Sequence, residues 1–114
     1  RQLEQEKIPA IEERLEKRTA QDVLEKFMRL RIDKNETEGL RYLTEAAMEQ
    51  KIQGEFVLMN NFASYEILQS EKLTGDKYRF VVKIYEEGMG DFIEVIALIK
   101  ILDRYYIDSV QIAG

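Results

Sequence analysis

A chain of 114 residues, 45% hydrophobic and 34% charged, has the size and composition of one soluble globular domain that needs no metal or disulfide to stand. Its net charge of −5 argues against a phosphate backbone as partner, so no nucleic acid is expected. The absence of Cys and His excludes thiol catalysis, Fe–S clusters, disulfides and every Ser-His-Asp or Cys-His arrangement, and removes the commonest transition-metal ligand.

Residues 1–18 (RQLEQEKIPAIEERLEKR) are highly charged, with Ile8, Ile11 and Leu15 as a thin apolar stripe. Pro9 suits a first helical position and Glu13 with Lys17 is a favourable i,i+4 pair, so this stretch reads as a solvated helical lead-in or stalk. The chain begins at Arg1 rather than Met, which predicts a processed product or a fragment whose signal peptide or anchor would lie upstream. No apolar run approaches the ~20 residues that cross a bilayer, so contact with a membrane is expected only through such an anchor.

The domain proper is expected over 19–114. Thr19 and Asp22 resemble a capping box opening a helix to about Lys34, with Val23, Leu24, Phe27, Met28 and Leu30 on one face. The following segment reads as two short helices, the first anchored by Leu40 and Leu43. The second carries Ala47 and Met48, is placed for capping by Thr44, and ends at Gly54.

From there the pattern changes to strands over 65–73, 78–87, 92–102 and 105–112, separated by turns at Thr74–Lys77, Gly88–Asp91 and Asp103–Arg104. Turns this short predict an antiparallel meander. The fold class is therefore α+β, with N-terminal helices packed on a curved four-stranded sheet.

The period of two assigns faces. Tyr78, Phe80, Val82 and Ile84 form a clear inner face. In 92–102 the odd positions Ile93, Val95, Ala97, Ile99 and Ile101 are uniformly apolar and are assigned inward, which leaves Phe92, Ile96 and Leu98, with Glu94, on the outer side. Those outer residues, next to Val81 and Tyr85, predict an exposed apolar patch and a homodimer joined through the outer sheet face. The competing expectation is that another part of the chain folds over it.

The stretches DVLEKFMRLRIDKNETEGLRYLTEAAMEQ, YRFVVKIYEEGMGDFIEVIALIK and DRYYIDSVQI, in that order, resemble the NTF2-like superfamily, an α+β cone of one long helix, short helices and long bent strands. The resemblance covers residues 19–114 and is closest to small domains of exported or membrane-anchored Gram-positive proteins, including lipoproteins. It implies an extracytoplasmic setting and a cone that binds a small molecule, docks a protein partner or catalyses isomerisation or dehydration.

Residues that would carry such chemistry are few. Asp33 sits at a charged helix end, and Asp91 and Asp103 fall in turns, where Asp serves the turn. Tyr106 and Asp108 are the weak catalytic candidates: a strand carboxylate and a phenol sharing a face with Val110 and Ile112, able to work as base and hydrogen-bond donor if they face a cavity. Glu86, Glu87 and Asp91 around a glycine turn lack the ligand spacing of a calcium loop, and Gly88-Met89-Gly90 lacks the rest of a phosphate loop. No metal or cofactor is therefore expected.

Segment 55–64 is apolar without alternation. Either it plugs the core, or Phe56, Met59 and Phe62, facing Phe27 on the helix, line a pocket for a small apolar ligand, with Asn61 offering polar contacts. The reading that follows is a non-enzymatic binding or interaction module, dimeric and extracytoplasmic. A small isomerase or dehydratase using Tyr106 and Asp108 is the alternative.

Overall fold

In a computed structural model the chain folds as α1 (Gln2–Ile32), α2 (Glu36–Leu40), α3 (Glu45–Ile52), then β1 (Phe62–Lys72), β2 (Lys77–Glu86), β3 (Gly90–Ile101) and β4 (Arg104–Ala113). The structure describes the backbone of residues 2–88 and 90–113, and side chains from residue 14 onward within them. The side chains of Ile8, Pro9, Ile11 and Glu13, and all of Met89, lie outside the described residues. The strands form one antiparallel sheet in the order β1-β2-β3-β4, so the α+β class and the four-stranded meander are as the sequence predicts.

The lead-in and the first helix are one element rather than two. At ~1.5 Å per residue a 31-residue helix runs roughly 46 Å, which accounts for the 56 × 27 × 24 Å outline of the molecule. Pro9 is already inside this helix, and Thr19 does not cap: its hydroxyl donates back to the Leu15 carbonyl at 2.8 Å, as a mid-helix Thr does. The helix ends where Lys34 adopts φ 61° and the amides of Asp33 and Asn35 close on the carbonyls of Arg29 and Leu30. Two side-chain caps start the short helices: Asn35 Oδ1 accepts from the Glu38 amide, and Thr44 Oγ1 accepts from the Ala47 amide, the latter as expected.

The core face of α1 is Ala20, Leu24, Phe27, Met28 and Arg31, all fully buried at the spacing of successive helical turns. They meet Tyr78, Phe80, Val82 and Ile84 of β2 and Ile96, Leu98, Tyr105, Ile107 and Val110 of β3 and β4. The backbone of α1 approaches both edge strands, β1 and β4, more closely than the central pair, as it must when the sheet curls around the helix.

The register corrects the assignment of faces on β3. Val82 pairs with Glu94, Phe80 with Ile96 and Tyr78 with Leu98. Directly paired residues share a face, so the even positions of β3 turn inward with those of β2. Ile96 and Leu98 are therefore core residues, 0% exposed, and form no outer patch. Glu94 is likewise inside, and Phe92 packs against the core edge. The outward positions are Ile93, Val95, Ala97 and Ile99, beside Val81 and Tyr85 of β2.

A bulge corrects β4. Leu98 pairs with Ile107 while Ala97 pairs with Ser109, so Asp108 is the extra residue. Val110 thereby joins the inner face three positions after Ile107, and the face predicted to unite Tyr106, Asp108, Val110 and Ile112 does not exist. Two register shifts also interrupt the outermost strand β1, before Ser64 and before Gln69.

Candidate functional site

One fully buried guanidinium organises the end of the domain where α1, segment 57–61 and the middle of β3 meet. Arg31 projects from the last turn of α1 and is 0% exposed; Glu94, 1% exposed, comes from the inner face of β3. The pair is a bidentate fork, with Nη1 to Oε1 at 2.7 Å and Nη2 to Oε2 at 3.0 Å. Arg31 also donates Nε to the Leu58 carbonyl at 2.9 Å, and Nη2 to the Val57 carbonyl at 2.9 Å and to Asn60 Oδ1 at 3.1 Å. The rings of Phe62 and Phe27 flank it, with centroids 5.1 and 5.5 Å from the guanidinium carbon. Asn60 extends the chain by donating Nδ2 to Glu86 Oε2 at 2.8 Å.

This arrangement fastens an irregular segment at both faces: Arg31 holds its carbonyls, while Phe56, Leu58 and Phe62 enter the core at 2%, 2% and 3% exposure. Of the two readings offered for 55–64, the geometry is that of a plug. Phe27, Phe56 and Phe62 have no open surface on which a ligand could rest, and Met59 is half-buried against the core. Asn61 does border a cavity of about 390 Å3, with Val57, Asn60, Glu86, Phe92, Glu94 and Ile112. The five predicted pocket residues are thus not brought together around one space.

The predicted Tyr106/Asp108 pair is divided as well. Asp108 accepts from the Thr44 hydroxyl at 2.9 Å and pairs with Lys77 at 3.3 Å, tying the cap of α3 to the sheet. Tyr106 borders a separate cavity of about 460 Å3 between α1, α2 and the β3–β4 turn. A carboxylate committed to a hydroxyl and an ammonium, and absent from that cavity, is not placed as a base for a bound substrate. Among the described residues no group of three or more carboxylates stands together as a metal site.

The free edge of β4 is covered by devices that composition did not reveal. The Ile107 amide donates to the Tyr42 carbonyl at 2.7 Å, and the Thr44 amide donates to the Ile107 carbonyl at 2.9 Å. One strand step further, Gln50 imitates a neighbouring strand: its Oε1 accepts from the Val110 amide at 2.9 Å and its Nε2 donates to the Val110 carbonyl at 3.3 Å. These contacts occupy backbone groups that would otherwise template another chain.

The outer sheet face carries a different signature. Val81, Ile93, Val95, Ala97 and Ile99 are half-buried, yet none belongs to the core cluster or packs against it. Its cations are matched within the chain: Lys77 with Asp108 at 3.3 Å, Arg79 with Glu71 at 2.9 Å and Lys83 with Asp91 at 3.7 Å. Tyr85 donates its hydroxyl to Glu66 at 3.0 Å, and that bond to a carboxylate raises its pKa above the usual phenol value. Of the predicted dimer residues, the structure brings Val81 and Tyr85 to this face and puts Phe92, Ile96 and Leu98 on the other.

Two phenols inside the domain are perturbed by burial. Tyr105, 4% exposed, is pushed up to about 12, first by desolvation and then by the nearby charge of Glu16. Its hydroxyl has no hydrogen-bond partner among the described residues. Tyr65 is raised in the same direction, again chiefly by desolvation.

Sequence reasoning missed Arg31 and Gln50. Helical spacing continued one turn past Phe27 and Met28 lands on Arg31, a signal present in the sequence and masked by its charge. Gln50 left none, because its role depends on where an edge strand ends. Comparisons with protein-family models, curated proteins and solved structures gave no match.

Proposed function

We propose that this domain is a non-enzymatic interaction module of NTF2-like build, carried outside the cytoplasm by an exported or anchored protein, and that it works as a homodimer joined through the outer face of its sheet. Element order and a sheet curled around one long helix support the cone. The setting rests on the family resemblance and the charged helical lead.

A single observation carries the dimer: Val81, Ile93, Val95, Ala97 and Ile99 form an apolar stripe on the side of the sheet opposite α1, and none of them belongs to the core or packs against it. A face four strands wide and about nine residues long covers roughly 600 Å2, so two copies would bury roughly 1,200 Å2, the low end of specific interfaces. The ion pairs within the face also spare two identical copies the like-charge repulsion that a chain of net charge −5 would otherwise bring.

Sedimentation velocity across 1–100 μM tests the reading. The native chain is expected to dimerise in the micromolar range, and Val95→Glu to remain monomeric with an unchanged far-UV spectrum. A native chain that is monomeric throughout, or a Val95→Glu dimer of undiminished affinity, would remove the proposal. Ile96→Glu is no substitute, since Ile96 is in the core and its replacement unfolds the domain whatever the interface.

A further inference from the structure

The cavity beside Tyr106 brings cations and aromatic side chains together, whereas the similarly charged cleft lined by Arg14, Lys17, Arg18, Asp22 and Glu25 has no ring. It opens between three segments distant in sequence: Thr19, Val23 and Lys26 of α1, Glu38 to Tyr42 around the end of α2, and Asp103 to Tyr106 of the β3–β4 turn. Its volume of about 460 Å3 lies within the range of small-ligand sites. Tyr42, Tyr106 and Val23 contribute half-buried aromatic and apolar side chains to its lining, with Tyr105, 4% exposed, behind them.

Three cations line it. Lys26 and Arg104 have no hydrogen-bond or ion-pair partner among the described residues, and Arg41 has only a 3.5 Å approach to Glu38 in which both side chains are largely exposed. Against them stand two carboxylates, Glu38 and Asp103, so three positive and two negative charges leave the lining at +1 in a chain of net −5. By contrast Lys77, Arg79, Lys83 and Lys100 each have a carboxylate within 4 Å. Unmatched cations beside aromatic walls in a concave site suit a negatively charged group attached to a flat ring. The guanidinium and ammonium would hold the anion, and the phenol rings would stack on the body.

We propose that this cleft is a binding site for a small aromatic carboxylate or a similar planar organic anion. The binding unit is a single chain, and every residue it uses is distinct from the apolar stripe of the outer face.

The probe is 1-naphthoate, with 1-naphthalenemethanol and acetate as controls that remove the charge and the ring in turn. Titrations followed by 1H–15N correlation spectra are expected to show saturable shifts centred on Tyr42, Arg104 and Tyr106 for 1-naphthoate. Each control is expected to bind at least ten times more weakly. The double variant Lys26→Gln/Arg104→Gln should weaken 1-naphthoate at least tenfold with far-UV spectrum and thermal unfolding unchanged, because both side chains are exposed and unpaired. Repeating the titration with Val95→Glu separates this site from the dimer, and the same affinity is expected there. Absence of saturable shifts, equal binding of the alcohol, or undiminished affinity in the double variant would each overturn the proposal.

Discussion

Removing one member of the Arg31–Glu94 pair should be far more damaging than removing both. In Arg31→Leu the Glu94 carboxylate, 1% exposed, loses both arms of its fork and is left charged in the core, a situation that costs about 3–5 kcal/mol. The buried Leu58 carbonyl loses its donor as well, adding about 1–2 kcal/mol, whereas the carbonyl of the exposed Val57 recovers water. The total of about 4–7 kcal/mol is a large part of the 5–15 kcal/mol that holds an ordinary domain together. In Glu94→Leu the guanidinium keeps its bonds to Leu58, Val57 and Asn60, so the loss falls near the lower end of that range, about 3 kcal/mol. The double variant buries no charge and leaves chiefly the Leu58 carbonyl unpaired, so about 1–3 kcal/mol is expected. Urea unfolding followed by far-UV circular dichroism measures all four proteins, since the chain has no Trp to report by fluorescence. The double variant should be more stable than Arg31→Leu by at least about 2 kcal/mol. Strict additivity of the two single changes would show that the two side chains do not share a dry, bonded site, and the account given for segment 57–60 would fall with it.

Burial of Tyr105 makes the stability of the domain fall in alkali. Its phenol ionises near 10 in the unfolded chain and at about 12 in the folded one, so the contribution is complete below pH 10 and is lost as pH rises toward 12. Tyrosine absorbance at 295 nm should show a last ionisation that Tyr105→Phe abolishes. Because that hydroxyl is unpartnered, the variant should be neutral or more stable by up to about 1 kcal/mol, and a clear loss of stability would show a bond to it. Gln50→Ala should cost about 1–2 kcal/mol through the unpaired backbone of the buried Val110. It should also speed hydrogen exchange at the Val110 amide without affecting that of Ile107, and unchanged protection at Val110 would refute the strand-imitating role.

Most of the fold was legible because it is local: helical spacing marked the Leu24, Phe27 and Met28 face, and short turns, two of them bearing glycine, marked the hairpins. The errors came where a face had to be chosen. On β3 the odd positions are uninterrupted apolar residues and the even ones contain Glu94, so polarity alone turns the strand the wrong way. Hairpin parity decides otherwise. Glu86 pairs with Gly90, which matches even positions to even positions along the whole β2–β3 ladder and sends Glu94 inside with Val82. On β4 no such rule helps, since the bulge at Asp108 shifts the period without a glycine or proline to announce it. The candidate sites fared worse than the fold, as they depend on which side chains meet across distant segments. Nothing in the spacing of Lys26, Arg41 and Arg104 marks them as neighbours of one cavity.

The buried pair then has a role that stability alone would not explain. With apolar residues on both faces, β3 can bury either Ile96 and Leu98 or Val95, Ala97 and Ile99, and hydrophobic burial scarcely distinguishes the two. Glu94 breaks that near-symmetry. Turned inward in the observed register it meets Arg31, and turned outward it would leave Arg31 buried among the rings of Phe27 and Phe62 without a counter-ion. A one-residue slip of β3 therefore carries the cost of an unpaired guanidinium, about 3–5 kcal/mol, while the correct register does not. The ion pair thus selects the face that the domain keeps outside, and with it the stripe of Val95 and Ile99 proposed to meet a second copy. The Arg31→Leu/Glu94→Leu protein provides the check. It should stay folded yet show doubled or broadened amide resonances along β3, as two registers become close in energy. A single sharp set of peaks in that variant would mean that the turn at Gly88 and Gly90 fixes the register unaided.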